Sequence, residues 1–270
     1  MASKHDLYGH YAIVTGGAGG IGLEFAKALA EMKCNLLLID RDGDRLNHAS
    51  LIIKEGKQDI QINTLELDLT DLHVTEKLEE FCESNHIDPD ILINNAGIFS
   101  FSPIVATQIR KIETFLDLHV RAVTLLSRWF CSKGGEKKER WLLNMSSMSC
   151  WMPMPGLAMY ASTKSYIRVF SRSLHYEMKG EGVHVMVACP GGIATDLFGL
   201  PDNLKKFAVG VKVLDTPEKF VRKALKKLFK GKKQYINGGL NRFSIFFVGI
   251  TPDWVRMLVK HKLLDKGIQR

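Results

Sequence analysis

Two hydrophobic periods alternate along this chain. Short unbroken apolar runs are separated by stretches in which apolar residues recur every three to four positions, the signatures of buried strands and amphipathic helices respectively. His10–Thr15 reads as a strand, apolar at Tyr11, Ala12, Ile13 and Val14. Leu23, Phe25, Ala26, Leu29 and Ala30 then repeat at helical spacing. Asn35–Ile39 is the next strand and Asp40 ends it; a helix is expected over 44–54. Ile60–Leu67 is a third strand ending in Asp68 and Leu69, followed by a helix over 70–84. Ile91-Leu92-Ile93, closed by Asn94-Asn95-Ala96-Gly97, and Trp141–Met145 complete the apolar runs of this region. Strands alternating with helices predict an α/β fold whose parallel sheet is covered on both faces. Ligands of such sheets sit at the carboxyl ends of the strands, so Gly16, Asp40, Asp68, Asn94 and Ser147 should share one rim.

The turn after the first strand is Gly16-Gly17-Ala18-Gly19-Gly20-Ile21-Gly22. Strand, glycine turn and helix together form the context that a dinucleotide fingerprint requires. Glycines let the backbone approach a pyrophosphate, and the helix start offers free N–H groups. Two spacings fit: Gly17, Gly19 and Gly22 as G-x-G-x-x-G, or Gly16, Gly20 and Gly22 as G-x-x-x-G-x-G. Asp40 lies eighteen residues past Gly22, near the distance at which an acid takes the ribose hydroxyls of NAD(H). Its charge would repel a 2′-phosphate, whereas Arg41 could hold one, which leaves NADP(H) open.

Tyr160 and Lys164 are four apart and share a helix face. An ammonium beside a phenol favours the phenolate, so this pair could exchange a proton near neutral pH. Ser147 follows the strand ending at Met145, where a hydroxyl can hold the oxygen of a carbonyl or alcohol. Tyr-x-x-x-Lys is common by chance, and the pair gains meaning only beside a bound hydride carrier.

Composition narrows the picture without redirecting it. The 270 residues are 46% hydrophobic and 24% charged, ordinary for a globular chain, and are expected to form a single domain over 1–270. No apolar run reaches the roughly 18 residues of a membrane span, and the N-terminus lacks the apolar core of a secretory signal. Five scattered cysteines without a Cys-x-x-Cys pair point to a reducing, cytoplasmic setting. No His/Cys cluster has metal spacing, so no metal is expected. Residues 201–270 carry 17 Lys/Arg against 5 Asp/Glu, a surplus that makes the last third basic although the chain's net charge is only +8.

With these residues in hand, the chain resembles the short-chain dehydrogenase/reductase family over about residues 8–240. Thr15–Gly22 is similar to its TGxxxGxG motif, which selects Gly16, Gly20 and Gly22. Asn94–Gly97 is similar to its NNAG, and Ser147, Tyr160 and Lys164 to its catalytic residues. Pro190-Gly191-Gly192-Ile193-Ala194-Thr195 is similar to the segment that holds the nicotinamide carboxamide. The resemblance implies a doubly wound Rossmann fold of about seven parallel strands, reversible alcohol–ketone chemistry with NAD(H) or NADP(H), and often a homodimer or homotetramer. It divides the chain into a cofactor-binding and catalytic core (8–195), a substrate lid (196–216) and a basic C-terminal part (217–270). The cofactor contacts it implies are Thr15, Gly16, Gly17, Gly20, Ile21, Gly22, Asp40, Arg41, Asp68, Leu69, Asn95, Ala96, Gly97, Tyr160, Lys164, Pro190, Gly191, Ile193 and Thr195. Within it, Lys164 would bind the nicotinamide ribose and lower the pKa of Tyr160. The family pattern DxNxxG has His119 in place of its Asn, which gives His119 a possible share in the proton relay.

Trp151-Met152-Pro153-Met154-Pro155 must cross the rim, and the segment 197–214, with Phe198 among many apolar residues, takes the position of the family's lid. Together they suggest a bulky apolar substrate, steroid-like or an acyl chain. An amphipathic helix is expected over 217–230 and a last strand over 233–236. The basic tail beyond could pack over the lid, form an oligomer contact or touch a membrane peripherally. Nucleic acid is not expected, for no stacking or groove-reading motif is present. A nucleotide-sensing protein that kept the fold and lost turnover is the competing reading, supported by His119 alone.

Overall fold

A computed structural model of the chain describes residues 7–55, 59–134, 139–193, 215–249 and 251–265. Seven parallel strands form one sheet in the order β3-β2-β1-β4-β5-β6-β7. They are β1 (Tyr11–Thr15), β2 (Asn35–Asp40), β3 (Ile62–Glu66), β4 (Ile91–Asn94), β5 (Arg140–Met145), β6 (Val183–Ala188) and β7 (Gln234–Tyr235). The switch in strand order falls between β1 and β4, which opens a crevice at their carboxyl ends. The expected doubly wound fold with a seven-stranded sheet is what forms.

Alternate side chains of each strand feed two cores. Ala12, Val14, Leu36, Leu38, Ile91 and Ile93 face one side, where α1 (Gly20–Ala30), α2 (Gly43–Lys54) and α7 (Pro217–Leu228) pack. Ile13, Leu37, Ile39, Leu92 and Leu142 face the other, against α3 (Val74–Ser84), α5 (Val123–Ser132) and α6 (Ala158–Glu177). Because both faces are covered, the strands read as continuous apolar runs. Helix α7 follows its own pattern closely. Thr216 caps it by accepting from the Lys219 N–H (3.3 Å), Pro217 sits in its first turn, and Phe220, Val221, Ala224, Leu225 and Leu228 are buried.

Helix α4 (Ile109–Leu116) runs into α5 through a π-turn, Asp117–Ala122, that periodicity alone did not mark. Single π-turns inside helices are rare and cluster at functional sites, and this one contains His119. After β7 the chain continues as α8 (Gly239–Gly249), then α9 (Asp253–Val259), which ends in a π-turn at Lys260–Asp265. Among the described residues no helix is long and apolar enough to cross a membrane. The expected lid, 197–214, lies outside the described residues, as do Thr195 and Phe198.

Candidate active site

The glycine turn is held by backbone geometry. Gly16 and Gly20 have φ of 64° and 54°, the left-handed region that favours glycine. A Cβ on Gly22 would lie 2.0 Å from the Gly16 carbonyl oxygen, so only glycine lets α1 start this close to the turn. Thr15 couples the turn to β4. Its hydroxyl donates to the Ile93 carbonyl (3.3 Å) and accepts from the N–H groups of Asn95 (3.0 Å) and Ala96 (3.1 Å). The Asn95 amide returns the link by donating to the Thr15 carbonyl at 3.1 Å. Helix α1 begins at Gly19 with no side-chain cap and no acid in its first turn. Its amide donors and positive dipole end are therefore offered to an anion.

An open cleft of about 1120 Å³ joins this turn to the reactive side chains. Its walls include Gly16, Gly20, Ile21, Asp40, Asn95, Ala96 and Gly97 from the first half of the chain, and Ser147, Tyr160, Lys164, Pro190, Gly191 and Ile193 from the second. A neighbouring cleft carries Arg41, Asp68 and Leu69. Gly17, Thr15 and Gly22 act from behind. Gly17 donates to the Ile39 carbonyl (3.2 Å) and backs onto Leu38.

Asp40 accepts weakly from the Ala18 N–H at 3.4 Å, which turns its carboxylate toward the glycine turn. Pattern reading missed Arg45. Its guanidinium lies where a side chain on Gly19 would be, the Nη2 atom only 2.4 Å from an ideal Cβ there, and it lines both clefts. A signal was present. Arg45 stands in the first turn of α2, where the helix dipole disfavours a cation.

Ser147, Tyr160 and Lys164 converge as expected. Ser147 ends the β5 segment and begins a short 3₁₀ turn, its hydroxyl accepting from the Ser149 N–H at 3.1 Å. It is also within hydrogen-bonding reach of the Tyr160 phenol. Lys164 is buried, and its ammonium donates to the Met145 carbonyl at 3.0 Å. Below it, the Ser146 hydroxyl donates to the Lys164 carbonyl at 2.7 Å. The pKa values depart from the expectation that Lys164 lowers Tyr160. Burial raises the phenol of Tyr160, outweighing the opposing hydrogen bond from Ser147. Burial likewise brings Lys164 down to about 8. The ammonium stands 5.8 Å from the phenol ring centre, and desolvation is the larger effect.

His119 is fully buried, and both ring nitrogens are engaged. Nε2 accepts from the Ile98 N–H at 3.1 Å, so that nitrogen carries no proton. Nδ1 lies 3.0 Å from the Thr163 hydroxyl, which itself donates to the Met159 carbonyl at 2.9 Å. Nδ1 must therefore be the protonated nitrogen. Burial first, and the Lys164 charge second, hold the imidazole pKa well below its usual value. The ring stays neutral and ties the π-turn to α6 and to the segment after β4. It is 6.2 Å from Tyr160, ring centre to ring centre. Gly97 is obligatory beside it, since a Cβ there would come within 2.9 Å of Nε2 and 3.3 Å of the Lys164 ammonium. The share in a proton relay expected of His119 would need a ring nitrogen left over, and both are engaged here.

Trp151, Met152 and Met154, expected against substrate, are not among the cleft walls. The Trp151 ring lies under the Arg168 guanidinium at 4.4 Å and packs on the cluster of Val123, Ile167 and Val187. Asn94, expected on the rim, instead joins a buried polar cluster. Its amide donates to Asn144 (2.8 Å), whose own amide donates to Ser171 on α6 (2.9 Å).

The family model for short-chain dehydrogenases matches residues 10–202. A very-long-chain 3-oxoacyl-CoA reductase of Mus musculus is 31% identical over 224 residues, covering 81% of this chain and 68% of that one. The inactive hydroxysteroid dehydrogenase-like protein 1 of Homo sapiens is 29% identical over 265 residues, 94% of this chain and 77% of that one. A short-chain dehydrogenase from Sphingobium yanoikuyae, solved in complex with NADPH, superimposes with a TM-score of 0.75 at 21% identity, over 94% of this chain and 96% of that one. The glycine turn, the Ser147, Tyr160 and Lys164 set and the matched sequence thus agree: this chain belongs to the short-chain dehydrogenase family.

Proposed function

We propose that the protein is an NAD(P)-dependent oxidoreductase that interconverts an alcohol and a ketone on a bulky apolar molecule, an acyl chain or a steroid-like skeleton. The observation that carries this reading is the single cleft in which the glycine turn, Ser147, Tyr160 and Lys164 all expose surface. The uncapped start of α1 and the Gly22 close approach fit a dinucleotide pyrophosphate. When bound, the dinucleotide supplies or accepts the hydride.

The residues of the chain do the rest. Tyr160, whose phenol is protonated at neutral pH and is held so more firmly by burial, would donate its phenolic proton to a carbonyl oxygen. Ser147 hydrogen-bonds that oxygen and orients it. Lys164, anchored on the Met145 carbonyl, would offer its remaining N–H donors to the ribose of a bound dinucleotide and could restore the proton to Tyr160. Gly191, whose N–H donates to the Asn237 side chain at 2.7 Å, lies on the cleft wall, where its backbone would meet the nicotinamide end. In the oxidative direction the same groups run in reverse, with Tyr160 taking the alcohol proton.

Asp40 beside the turn supports a preference for NAD(H), with Arg41 and Arg45 as the groups that would receive a 2′-phosphate. The apolar substrate class rests on the composition of 197–214 and on the similarity to a 3-oxoacyl-CoA reductase. The likeness to an inactive relative, together with His119, favours a second reading in which the fold binds nucleotide without turnover. Following NADH and NADPH absorbance with a panel of long-chain 3-oxoacyl thioesters and bulky ketones separates the two. Oxidation of NADH dependent on one of these ketones is expected. Nucleotide binding without turnover of any panel member would favour the sensing reading.

A further inference from the structure

The C-terminal segment has an inner and an outer face. On the inner face, Asn241 of α8 stands against Gly191, its Nδ2 atom 2.3 Å from where a Cβ would be. Leu264, buried in the closing π-turn, and Phe101 both abut Gly156, four residues before Tyr160. The segment therefore packs against Gly191 of the cleft wall and against Gly156. The outer face is apolar. Phe243 and Phe247, one turn apart with ring centres 4.9 Å from each other, are 63% and 53% exposed. Trp254, Met257 and Leu258 fall at helical spacing on α9, and Trp254 is 66% exposed. On the far side of Gly156 the apolar exposure resumes with Phe101, Ile104, Val105 and Ile109.

Exposed cations neighbour these residues along the chain. Arg242 is exposed beside Phe243, Lys260 and Lys262 follow Leu258, and Arg110 and Lys111 follow Ile109. Residues 254–270 carry five Lys or Arg against one acid. Exposed aromatic and aliphatic side chains interspersed with cations suit an interface in which the rings enter the headgroup layer and the cations meet phosphate or carboxylate. A second copy of this chain would oppose like charges across the same face.

We propose that the outer face of α8 and α9 docks on an anionic phospholipid surface, placing the mouth of the cleft against the leaflet from which an apolar substrate enters. The idea of substrate entry rests on the proposed function; the docking does not. Once docked, Phe243, Phe247 and Trp254 lie below the headgroups, and Lys260 and Lys262 lie among them.

The experiment uses the full-length chain with vesicles of phosphatidylcholine alone and of phosphatidylcholine mixed with phosphatidylserine. Co-sedimentation with the mixed vesicles is expected, falling as salt is raised. Trp254→Ser and the pair Phe243→Ser/Phe247→Ser should each reduce partitioning at least about tenfold, because aromatic burial drives insertion. Lys260→Glu/Lys262→Glu should remove the preference for phosphatidylserine, again by about tenfold or more. All three variants should still oxidise NADH with a water-soluble ketone at the wild-type rate. Protein that stays in the supernatant with both vesicles at low salt overturns the docking even if ketone turnover is normal. Self-association that the serine variants abolish overturns it too, by assigning the face to a second copy. Vesicle binding without turnover of any ketone would leave docking intact and remove the proposed function instead.

Discussion

The two ends of the cleft are made of different material. The nucleotide end is built from backbone. Gly16 and Gly22 bring the turn and α1 within contact, and the Thr15 and Asn95 side chains lock the turn to the end of β4 through hydrogen bonds to backbone. The catalytic end is built from buried side chains. Ser147, Tyr160, Lys164 and His119 are held by α6, the π-turn and the end of β5. A backbone site has no room for added atoms. A side-chain site accepts a change of shape but not the loss of a donor or acceptor. Substitutions that add a methyl group should therefore ruin the first end, and substitutions that remove one polar atom should ruin the second.

The largest effect is expected from Gly22→Ala. The new Cβ meets the Gly16 carbonyl at 2.0 Å and the Asn95 amide at 2.7 Å, and the Gly16 backbone cannot yield. Overpacking of this kind costs about 1–3 kcal/mol or more, so both the melting temperature and NADH binding should fall sharply. Unchanged NADH affinity by fluorescence titration would show that the turn is not the cradle. Next comes Ser147→Ala, which removes the hydroxyl from the reacting oxygen. A loss of roughly a hundredfold or more in kcat is expected, with nucleotide affinity kept. If kcat is unchanged, Ser147 only caps its 3₁₀ turn.

Charge substitutions at the edge of the backbone site should act more mildly. Arg45→Ala should weaken NADPH binding about tenfold or more, the worth of a charged hydrogen bond, and leave NADH binding nearly unaltered. Asp40→Ala should narrow the preference for NADH. Wild-type protein that binds NADPH more tightly than NADH would mean that Arg41 and Arg45 outweigh Asp40.

The smallest effect concerns His119 and pH. Folding keeps this imidazole neutral by pushing its pKa well below the usual 6.5. Its contribution is therefore complete above about pH 6.5 and declines as pH falls, because the unfolded chain takes up a proton that the folded chain refuses. The melting temperature should drop between neutral and mildly acid pH more steeply in wild type than in His119→Asn. Parallel curves would mean that the ring titrates alike in both states. His119→Phe removes both hydrogen bonds and should destabilise at all pH values.

Legibility followed the same division. The nucleotide end was readable because glycine spacing and strand ends encode backbone geometry directly. Six of the seven strands, and the rim shared by Gly16, Asp40 and Ser147, were anticipated to within a few residues, whereas β6 (Val183–Ala188) was not marked. The meeting of Ser147, Tyr160 and Lys164 was readable, but the electrostatics of these residues were not. Spacing could place Lys164 beside Tyr160, but it could not show that burial raises the phenol and lowers the lysine. Arg45 escaped because its role depends on the gap that Gly19 leaves, a pairing across 26 positions. Trp151 was misplaced because a loop that crosses the rim can still turn its ring inward, here onto Arg168 and the Ile167 cluster. The π-turn at His119 has no periodic signature, since it inserts a residue without breaking the hydrophobic stripe.

The account depends most on Tyr160 acting as the proton donor in a cleft whose nucleotide end works independently of it. Tyr160→Phe separates the two, because it removes one oxygen and keeps the ring that packs edge-on against Phe99 at 5.0 Å. Turnover of a ketone identified in the substrate panel and NADH affinity should be measured on the same preparation. The prediction is a loss of turnover of about a hundredfold or more with nucleotide affinity essentially unchanged. Turnover within about tenfold of wild type would contradict it.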